Sequence, residues 1–268
     1  MPPSTPKEQD CYETPSLVKL EGKHVVVTGA ASGIGASLVE RFTKEGAVVV
    51  GADLATTNIS CGDAVACNVA SDDQVRDLID GAESRNGPID LFCSNAGILG
   101  GFGAVELSDD DWQQVIDVNL MAHGRAARHL VPRMLERGGG YLLQTASAAG
   151  LLTQIGLAPY SVTKHGAIAF AEWLSITYGD RGLKVSVLCP QAVRTGMTAG
   201  TDDGGVAGVD GMLEPDVVAD SVVNGLAHEQ FLILPHAEVA EYFKRKANDY
   251  DRWIRGMRRL QSHFPNGA

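Results

Sequence analysis

Residues 25–35 of the chain read Val-Val-Val-Thr-Gly-Ala-Ala-Ser-Gly-Ile-Gly. The three valines are typical of a buried strand, and the amphipathic residues 36–45 that follow predict a helix. In a strand–turn–helix unit of this kind, glycines let the backbone approach a pyrophosphate, and the helix N-terminus offers free N–H groups and a positive dipole end. A glycine pattern alone is weak evidence, but in this setting it predicts a dinucleotide-binding unit.

An acidic residue follows at the expected distance. Residues 47–52 predict a second strand, and Asp53 ends it roughly 20 residues after the glycine turn, where a carboxylate holds the ribose hydroxyls of NAD. The 2′-phosphate of NADP would bring negative charge to the same place. Neither Ser32 nor Leu54 supplies a cation to offset that repulsion. NAD is therefore the predicted cofactor.

The rest of the chain alternates between strands and helices. Further strands are predicted at 63–67, 89–94, 141–145, 184–188 and 231–234, and helices at 71–85, 108–137, 159–178 and 214–228. This alternation is typical of an α/β fold with one doubly wound parallel sheet and helices on both faces.

We expect one domain at 21–235, preceded by an N-terminal extension at 1–20. Residues 191–213 are rich in glycine, threonine and aspartate and lack periodicity, and such a long loop inside a compact domain is often a lid. Apolar residues at helical spacing predict a C-terminal amphipathic helix and tail at 236–268.

The composition excludes several classes of function. The chain has 268 residues and a formal net charge of −11, which disfavours nucleic-acid binding. No apolar stretch approaches the roughly 18–20 residues of a membrane span, and the polar N-terminus does not resemble a signal peptide. The five cysteines have neither metal-ligand nor redox spacing, so we expect no metal and a reduced, cytoplasmic chain.

A second stretch carries acid–base chemistry. Residues 141–145 form a strand-like run, Ser147 follows its end, and Tyr160 and Lys164 lie four residues apart on the next predicted helix. Four-residue spacing places a phenol and an ammonium on one helical face. Such a pair is usually a solvated surface feature, and a lone serine is usually a turn residue. Together, the three side chains suit proton transfer at an alcohol or ketone oxygen.

Taken together, these motifs resemble the short-chain dehydrogenase/reductase family in its common short form, over residues 21–235. The motifs are Thr28-Gly29-x-x-x-Gly33-Ile34-Gly35, Asn95-Ala96-Gly97, Asn119, Ser147, Tyr160-x-x-x-Lys164 and residues 190–195. Each motif is weak alone, but all of them in this order are specific. The resemblance implies a Rossmann-type sheet, a nicotinamide cofactor and a Ser-Tyr-Lys-Asn active site.

The resemblance also implies a role for each catalytic residue. Tyr160 is expected to act as the general acid/base of hydride transfer. Lys164 is expected to favour the phenolate and to hold the nicotinamide ribose. Ser147 would hydrogen-bond the substrate oxygen. Asn119 would anchor a water molecule that links Lys164 to solvent.

The cofactor site implied by the resemblance has two departures from the family pattern. Asn68 replaces a common aspartate, but its amide oxygen still accepts a hydrogen bond from adenine. Gln191 replaces a frequent glycine, and its side chain either enters the substrate pocket or stiffens the entrance of the lid. The cofactor residues are expected to be Gly29, Ser32, Gly33, Ile34, Gly35, Asp53, Asn68, Val69, Asn95, Ala96, Gly97, Tyr160, Lys164, Pro190, Val193 and Thr195.

The substrate pocket is expected to include Ala149, Gln154, Gln191 and Met197. The neighbouring segments are fairly apolar, and they contain no cluster of arginine or lysine, although Arg194 is near in sequence. We therefore expect an uncharged hydrophobic secondary alcohol or ketone, such as an alicyclic, aromatic or terpenoid compound.

Two other functions were weighed. An NADPH-dependent ketoreductase of biosynthesis should carry a basic residue at Ser32 or just after Asp53, and this chain has none. A non-catalytic cofactor-binding regulator typically loses the tyrosine or the lysine, and this chain keeps both. The segments 159–178, 214–228 and 231–234 resemble family surfaces that pair across two-fold axes, so we expect a homotetramer, or failing that a dimer.

Overall fold

The computed structural model describes residues 19–200 and 203–264. Its centre is a seven-stranded sheet in the order β3-β2-β1-β4-β5-β6-β7, and every pair of neighbours is parallel. The strands are β1 His24–Thr28, β2 Val48–Asp53, β3 Asp63–Ala66, β4 Leu91–Ser94, β5 Gly140–Thr145, β6 Leu183–Leu188 and β7 Leu232–Ile233. The predicted doubly wound, Rossmann-type sheet is confirmed.

Helices cover both faces of the sheet. They are α1 Gly33–Lys44, α2 Asp72–Asn86, α3 Asp109–Ile116, α4 Ala122–Glu136, α5 Ala149–Leu152, α6 Ala158–Tyr178, α7 Pro215–Ala227, α8 Glu238–Asn248 and α9 Tyr250–His263. A π-helical turn, Asp117–Met121, joins α3 to α4. Short 3₁₀ turns lie at Gly179–Arg181, Gly196–Thr198 and Gly205–Gly208.

The core lies in two layers because parallel strands are buried on both faces. Successive residues of β1 alternate between them: Val26 packs in one layer with helices α2, α4 and α6, and Val25 and Val27 pack in the other with α1 and α7. Strand order reverses between β1 and β4, and ligands of open α/β sheets bind in the crevice at the carboxyl ends of such strands. The fold therefore positions a site beyond Thr28 and Ser94.

Two helices that were predicted to be continuous are interrupted in the structure. The helix expected at 108–137 is interrupted by the π-helical turn, which carries Asn119. The helix expected within 236–268 is two helices, because Asp249 has extended backbone angles and its carboxylate accepts a hydrogen bond from the Arg252 N–H at 2.9 Å. An aspartate in this position is a helix N-cap, so α9 begins anew after it.

Within the described ranges, no helix is both long and apolar enough to cross a membrane. The extension predicted at 1–20 lies outside the described residues as far as residue 18, and residues 201 and 202 of the predicted lid also lie outside them.

Candidate active site

The glycine turn after β1 is closely packed. Gly29 and Gly33 have φ of +68° and +52°, and a Cβ on Gly35 would lie 1.9 Å from the Gly29 carbonyl oxygen. A Cβ on Gly33 would lie 2.9 Å from Cγ2 of Thr195, so the turn contacts the loop after β6. Ser32 precedes α1 without making a side-chain capping bond. The backbone therefore forms the narrow cradle that a pyrophosphate requires, at a helix N-terminus.

Asp53 is fixed at the end of β2. One carboxylate oxygen accepts a hydrogen bond from the Ala31 N–H at 3.0 Å, and the other accepts one from the Leu54 N–H at 2.7 Å. Each oxygen keeps a further lone pair for a hydroxyl donor. The side chain of Leu54 is exposed and supplies no charge. The carboxylate is thus held where a diol can bind it.

Asn95 joins the ends of strands β1, β4 and β5. The sequence motif that contains Asn95 did not predict this role. Its Nδ2 donates to the Thr28 carbonyl at 3.0 Å, and its Oδ1 accepts from Thr145 Oγ1 at 3.0 Å. Thr28 Oγ1 in turn accepts from the N–H groups of Asn95 and Ala96 at 2.9 and 3.2 Å. The two threonines are positioning residues that the sequence analysis missed, and a hydroxyl at a strand end beside the glycine turn was the available signal.

Lys164 is buried beside Tyr160. Its Nζ donates to the Thr145 carbonyl at 2.9 Å and lies 5.5 Å from the centre of the Tyr160 ring. Burial lowers the pKa of Lys164 to about 8. The ammonium thus approaches the ring while it is anchored to the end of β5.

Burial raises the pKa of Tyr160, and a hydrogen bond with Ser147 opposes that rise without cancelling it. The expectation that Lys164 favours the phenolate stays a prediction. The phenol is nearly fully buried, and desolvation of the phenolate outweighs its neighbours.

Ser147 lies just past the end of β5 and faces the same space. Its Oγ accepts from the Ala149 N–H at 3.1 Å and donates to the Pro190 carbonyl at 3.4 Å. The hydroxyl is therefore held between the start of α5 and the loop after β6. This orientation leaves the hydroxyl next to Tyr160, as the predicted site requires.

Asn119 is fully buried on the π-helical turn, and its side chain contacts the segment after β4. The amide bonds both backbone polar groups of Ile98, and Nδ2 lies 3.5 Å from Thr163 Oγ1. A Cβ on Gly97 would lie 3.3 Å from Asn119 Oδ1 and 3.5 Å from Lys164 Nζ, so this glycine permits their close approach. The side chain positions backbone, and the predicted anchoring of a water molecule by this residue stays a prediction.

One cavity of about 1630 Å³ runs from the glycine turn past Tyr160 to the C-terminal helices. Small-molecule pockets usually measure about 300–1,000 Å³, so this space suits a dinucleotide together with a substrate. Every predicted cofactor residue and every predicted substrate residue lines it. The described residues contain no group of three or more metal-ligating side chains placed to hold a metal ion.

The predicted acceptor for adenine borders the cavity. Asn68 follows β3, is exposed, and lines the wall beside the buried Val69. Its Oδ1 accepts a hydrogen bond from the Ala70 N–H at 3.0 Å, and its own N–H donates to Gln74 Oε1 at 2.8 Å. The amide oxygen is thus oriented by its own turn and retains a second lone pair.

Gln191 borders both the cavity and the loop that follows it, and the choice between its two expected roles stays a prediction. It lines the cavity, and its Nε2 donates to the Asp210 carboxylate at 3.1 Å. The other oxygen of Asp210 accepts from the Tyr242 hydroxyl at 2.9 Å. The loop that begins at Gln191 is thereby tied to α8.

The C-terminal helices form a wall of the cavity that the sequence analysis did not predict. Trp253, Met257 and Leu260 line it, and so do Arg245, Arg252 and Arg259; the apolar spacing of the first three was the signal that could have indicated it. The premise that no arginine cluster borders the pocket is therefore corrected. These arginines lie far from the motifs in sequence, and α8 and α9 bring them to the site.

The comparisons with known proteins agree with this site. Residues 23–204 match the family model for short chain dehydrogenases. The chain is 35% identical to 1-deoxy-11-beta-hydroxypentalenate dehydrogenase of Streptomyces avermitilis, over 88% of this chain and 92% of that protein. It is 31% identical to 3beta-hydroxysteroid dehydrogenase 2 of Eggerthella lenta, over 68% of this chain and 75% of that protein.

A solved structure gives the same result. A short chain dehydrogenase/reductase from Burkholderia phymatum, crystallised in complex with NAD, superposes with a TM-score of 0.79 at 26% identity, over 88% of this chain and 96% of that one. The chain belongs to the short-chain dehydrogenase family and is an oxidoreductase of alcohols and ketones.

Proposed function

We propose that the chain interconverts a secondary alcohol and its ketone on a largely apolar compound, with NAD as cofactor and Tyr160 as general acid/base. The observation that carries this proposal is the placement of Tyr160, Ser147 and Lys164 around one cavity that also contains the glycine cradle. When bound, NAD would supply the acceptor for the hydride of the alcohol carbon. The chain itself supplies orientation, proton transfer and exclusion of water.

In oxidation, the phenolate of Tyr160 accepts the proton of the substrate hydroxyl, and in reduction the phenol returns it. Ser147 holds the same substrate oxygen and stabilises the charge that develops there. Lys164 is a cation below its pKa of about 8. Its positive charge favours the phenolate form of Tyr160. Because burial raises the pKa of Tyr160, oxidation should be faster at alkaline pH.

The preference for NAD over NADP rests on Asp53. Its carboxylate is held by the N–H groups of Ala31 and Leu54, and it would accept hydrogen bonds from the ribose hydroxyls of NAD. At about 4 Å and an effective dielectric near 20, a second negative charge costs roughly 4 kcal/mol before salt screening. Even half of that energy exceeds the about 1.4 kcal/mol that corresponds to a tenfold preference.

The lining of the cavity supports an apolar substrate. Leu99, Phe102 and Met197 line the cavity, and Phe102 and Met197 are 54% and 42% exposed. Relatives that act on a hydroxypentalenate and on a 3beta-hydroxysteroid support the same class. The loop at 191–213 is proposed to close over such a substrate, within a catalytic domain at 21–235.

We also propose a homotetramer, with a dimer as the simpler alternative. Helix α6 carries Trp173 and Ile176 with exposures of 53% and 84%, which suits a subunit interface. The four cysteines described by the structure are free thiols, which suits a reducing cytoplasm. Light scattering at micromolar concentration tests the assembly, and a sharp monomer mass would contradict it.

The activity is tested with a panel of alicyclic, aromatic and steroidal secondary alcohols at alkaline pH, followed by NADH absorbance. We expect turnover with NAD for members of this panel and at least tenfold lower catalytic efficiency with NADP. Comparable efficiency with both cofactors would refute the assignment of Asp53.

A further inference from the structure

We propose that the substrate carries a carboxylate, and that Arg252 and Arg259 of α9 bind it at the end of the cavity opposite the glycine turn. The inference rests on the proposed function, since it takes the space beyond Tyr160 to be the substrate pocket. It names the substrate class as an apolar hydroxy acid or keto acid. The argument depends on the two adjacent stripes that α9 presents to the cavity.

The first stripe is apolar. Trp253, Met257 and Leu260 are spaced by four and three residues, so they share one face of α9, and all three line the cavity. Trp253 also packs against the core layer that contains Leu151, in the short helix just after Ser147. Lys246, near the end of α8, donates to the Leu151 carbonyl of α5 at 2.6 Å, and this contact places the start of α9 on the Ser147 side of the cavity.

The second stripe is basic and lies one position earlier along the helix. Arg252, Gly256 and Arg259 have the same four- and three-residue spacing, and all three line the cavity. A Cβ on Gly256 would meet, apart from the backbone of α9 itself, only Arg259 Nη2 at 3.9 Å among the described residues. The stripe therefore has open space at Gly256, the position between its two arginines.

These arginines lack acidic partners. Within 19–200 and 203–264, neither Arg252 nor Arg259 forms an ion pair, although arginines elsewhere, such as Arg41 and Arg133, pair with carboxylates. Asp249 also borders the cavity, but its carboxylate accepts a hydrogen bond from the Arg252 backbone N–H as the cap of α9. In a chain with a net charge of −11, unpaired arginines on a cavity wall are suited to an anion from outside.

Arg245 extends the basic wall onto α8. Its guanidinium lies 5.6 Å from the centre of the Tyr242 ring, and the Tyr242 hydroxyl donates to Asp210. Arginine recognises a carboxylate through paired N–H donors, and these charge-assisted bonds are stronger than neutral ones. An apolar stripe beside a basic one therefore fits a hydrophobic body that ends in a carboxylate.

The test measures ligand binding and not turnover. Its result can therefore be interpreted even if the proposed catalysis fails. Adamantane-1-carboxylate and lithocholate, each beside its uncharged methyl ester, are titrated into enzyme saturated with NADH. We expect at least one acid to bind at least tenfold more tightly than its ester, and we expect that difference to shrink as salt is added.

The double variant Arg252→Gln/Arg259→Gln should weaken binding of that acid at least tenfold and leave its ester unchanged. The matched control is Arg255→Gln/Arg258→Gln, which removes the same charge from residues of α9 that do not line the cavity. Equal affinity for acid and ester, equal effects of the two double variants, or no binding of either acid would overturn the proposal.

A separate arm addresses the other anion that the cavity could hold. NADPH is titrated into the wild-type enzyme and both double variants. If Arg252→Gln/Arg259→Gln weakens NADPH binding but leaves the acids unaffected, the arginines serve a cofactor phosphate and the substrate proposal is overturned.

Discussion

Asn119 holds Ile98 by both of its backbone polar groups: Oδ1 accepts from the Ile98 N–H and Nδ2 donates to the Ile98 carbonyl, each at 2.8 Å. The two residues are 21 positions apart, on the π-helical turn and on the segment that leaves β4. This pairing fixes the backbone next to Gly97, and therefore next to Lys164. The role of this pairing is to position the backbone of the site.

Asn119→Ala should consequently damage both stability and activity. The substitution leaves the N–H and carbonyl of Ile98 without these partners, and an unsatisfied buried polar group costs about 1–3 kcal/mol. Urea unfolding should show a loss of this size, and kcat should fall because the backbone segment beside Lys164 loses its anchor at Ile98. The exposed Asn86→Ala provides the control; a variant of Asn119 as stable and active as that control would contradict the positional role.

Asp53→Ala should narrow the preference for NAD over NADP, mainly by weakening the binding of NAD. The reason is that the lost carboxylate is proposed to hold the ribose hydroxyls. Catalytic efficiency with NAD should fall at least tenfold, while efficiency with NADP should change less or rise. Steady-state kinetics with both cofactors measure the ratio. An unchanged ratio would show that the preference lies elsewhere in the site.

Lys164→Ala should reduce both turnover and cofactor affinity. The side chain reaches the end of β5 through the Thr145 carbonyl and also approaches Tyr160, so it serves two parts of the cavity. NADH binding measured by fluorescence separates the two effects. Lys246→Ala is the comparison, because that buried lysine bonds the Leu151 carbonyl on α5. A loss of turnover at full NADH affinity would remove the ribose-binding role.

His123 should make the fold sensitive to acid. The ring is buried, and burial together with the charge of Lys164 lowers its pKa to about 3, against the opposing effect of a hydrogen bond with the Asn119 backbone. Below about pH 6.5 the unfolded chain binds a proton here that the folded chain refuses until about pH 3. Stability therefore falls as pH drops through this window.

The size of the effect follows from linkage. Between about pH 6 and 4 the free energy of unfolding should fall about 1.4 kcal/mol per pH unit more steeply in the wild type than in His123→Leu. Urea unfolding at several pH values measures both slopes. His228→Gln, at an exposed position, should keep the wild-type slope; identical slopes for wild type and His123→Leu would contradict the assignment.

The sequence predicted the sheet and most of the cofactor site because both depend on local patterns. Residues 25–35 contain the strand, the glycines and the helix start in one stretch, and Asp53 follows at a fixed distance. The π-helical turn was not predictable from periodicity, and the contact that Asn119 makes from this turn is with Ile98, which is distant in sequence.

The C-terminal wall was missed for a related reason. A break at Asp249 leaves apolar residues spaced as in one continuous helix, although the chain turns there. α9 borders the cavity because α8, which precedes it, packs against α5. One contact of this packing is the hydrogen bond between Lys246 and the Leu151 carbonyl. Tertiary packing of this kind leaves no periodic signal.

The central claim is that Tyr160 carries the proton, and Tyr160→Phe tests it most directly. The variant keeps the buried ring and removes only the hydroxyl, and loss of general acid–base catalysis costs about 10²–10⁴-fold in rate. We predict that turnover of the best alcohol of the panel falls at least a hundredfold, while NADH binds with wild-type affinity. Retention of more than a few per cent of wild-type turnover would contradict the account.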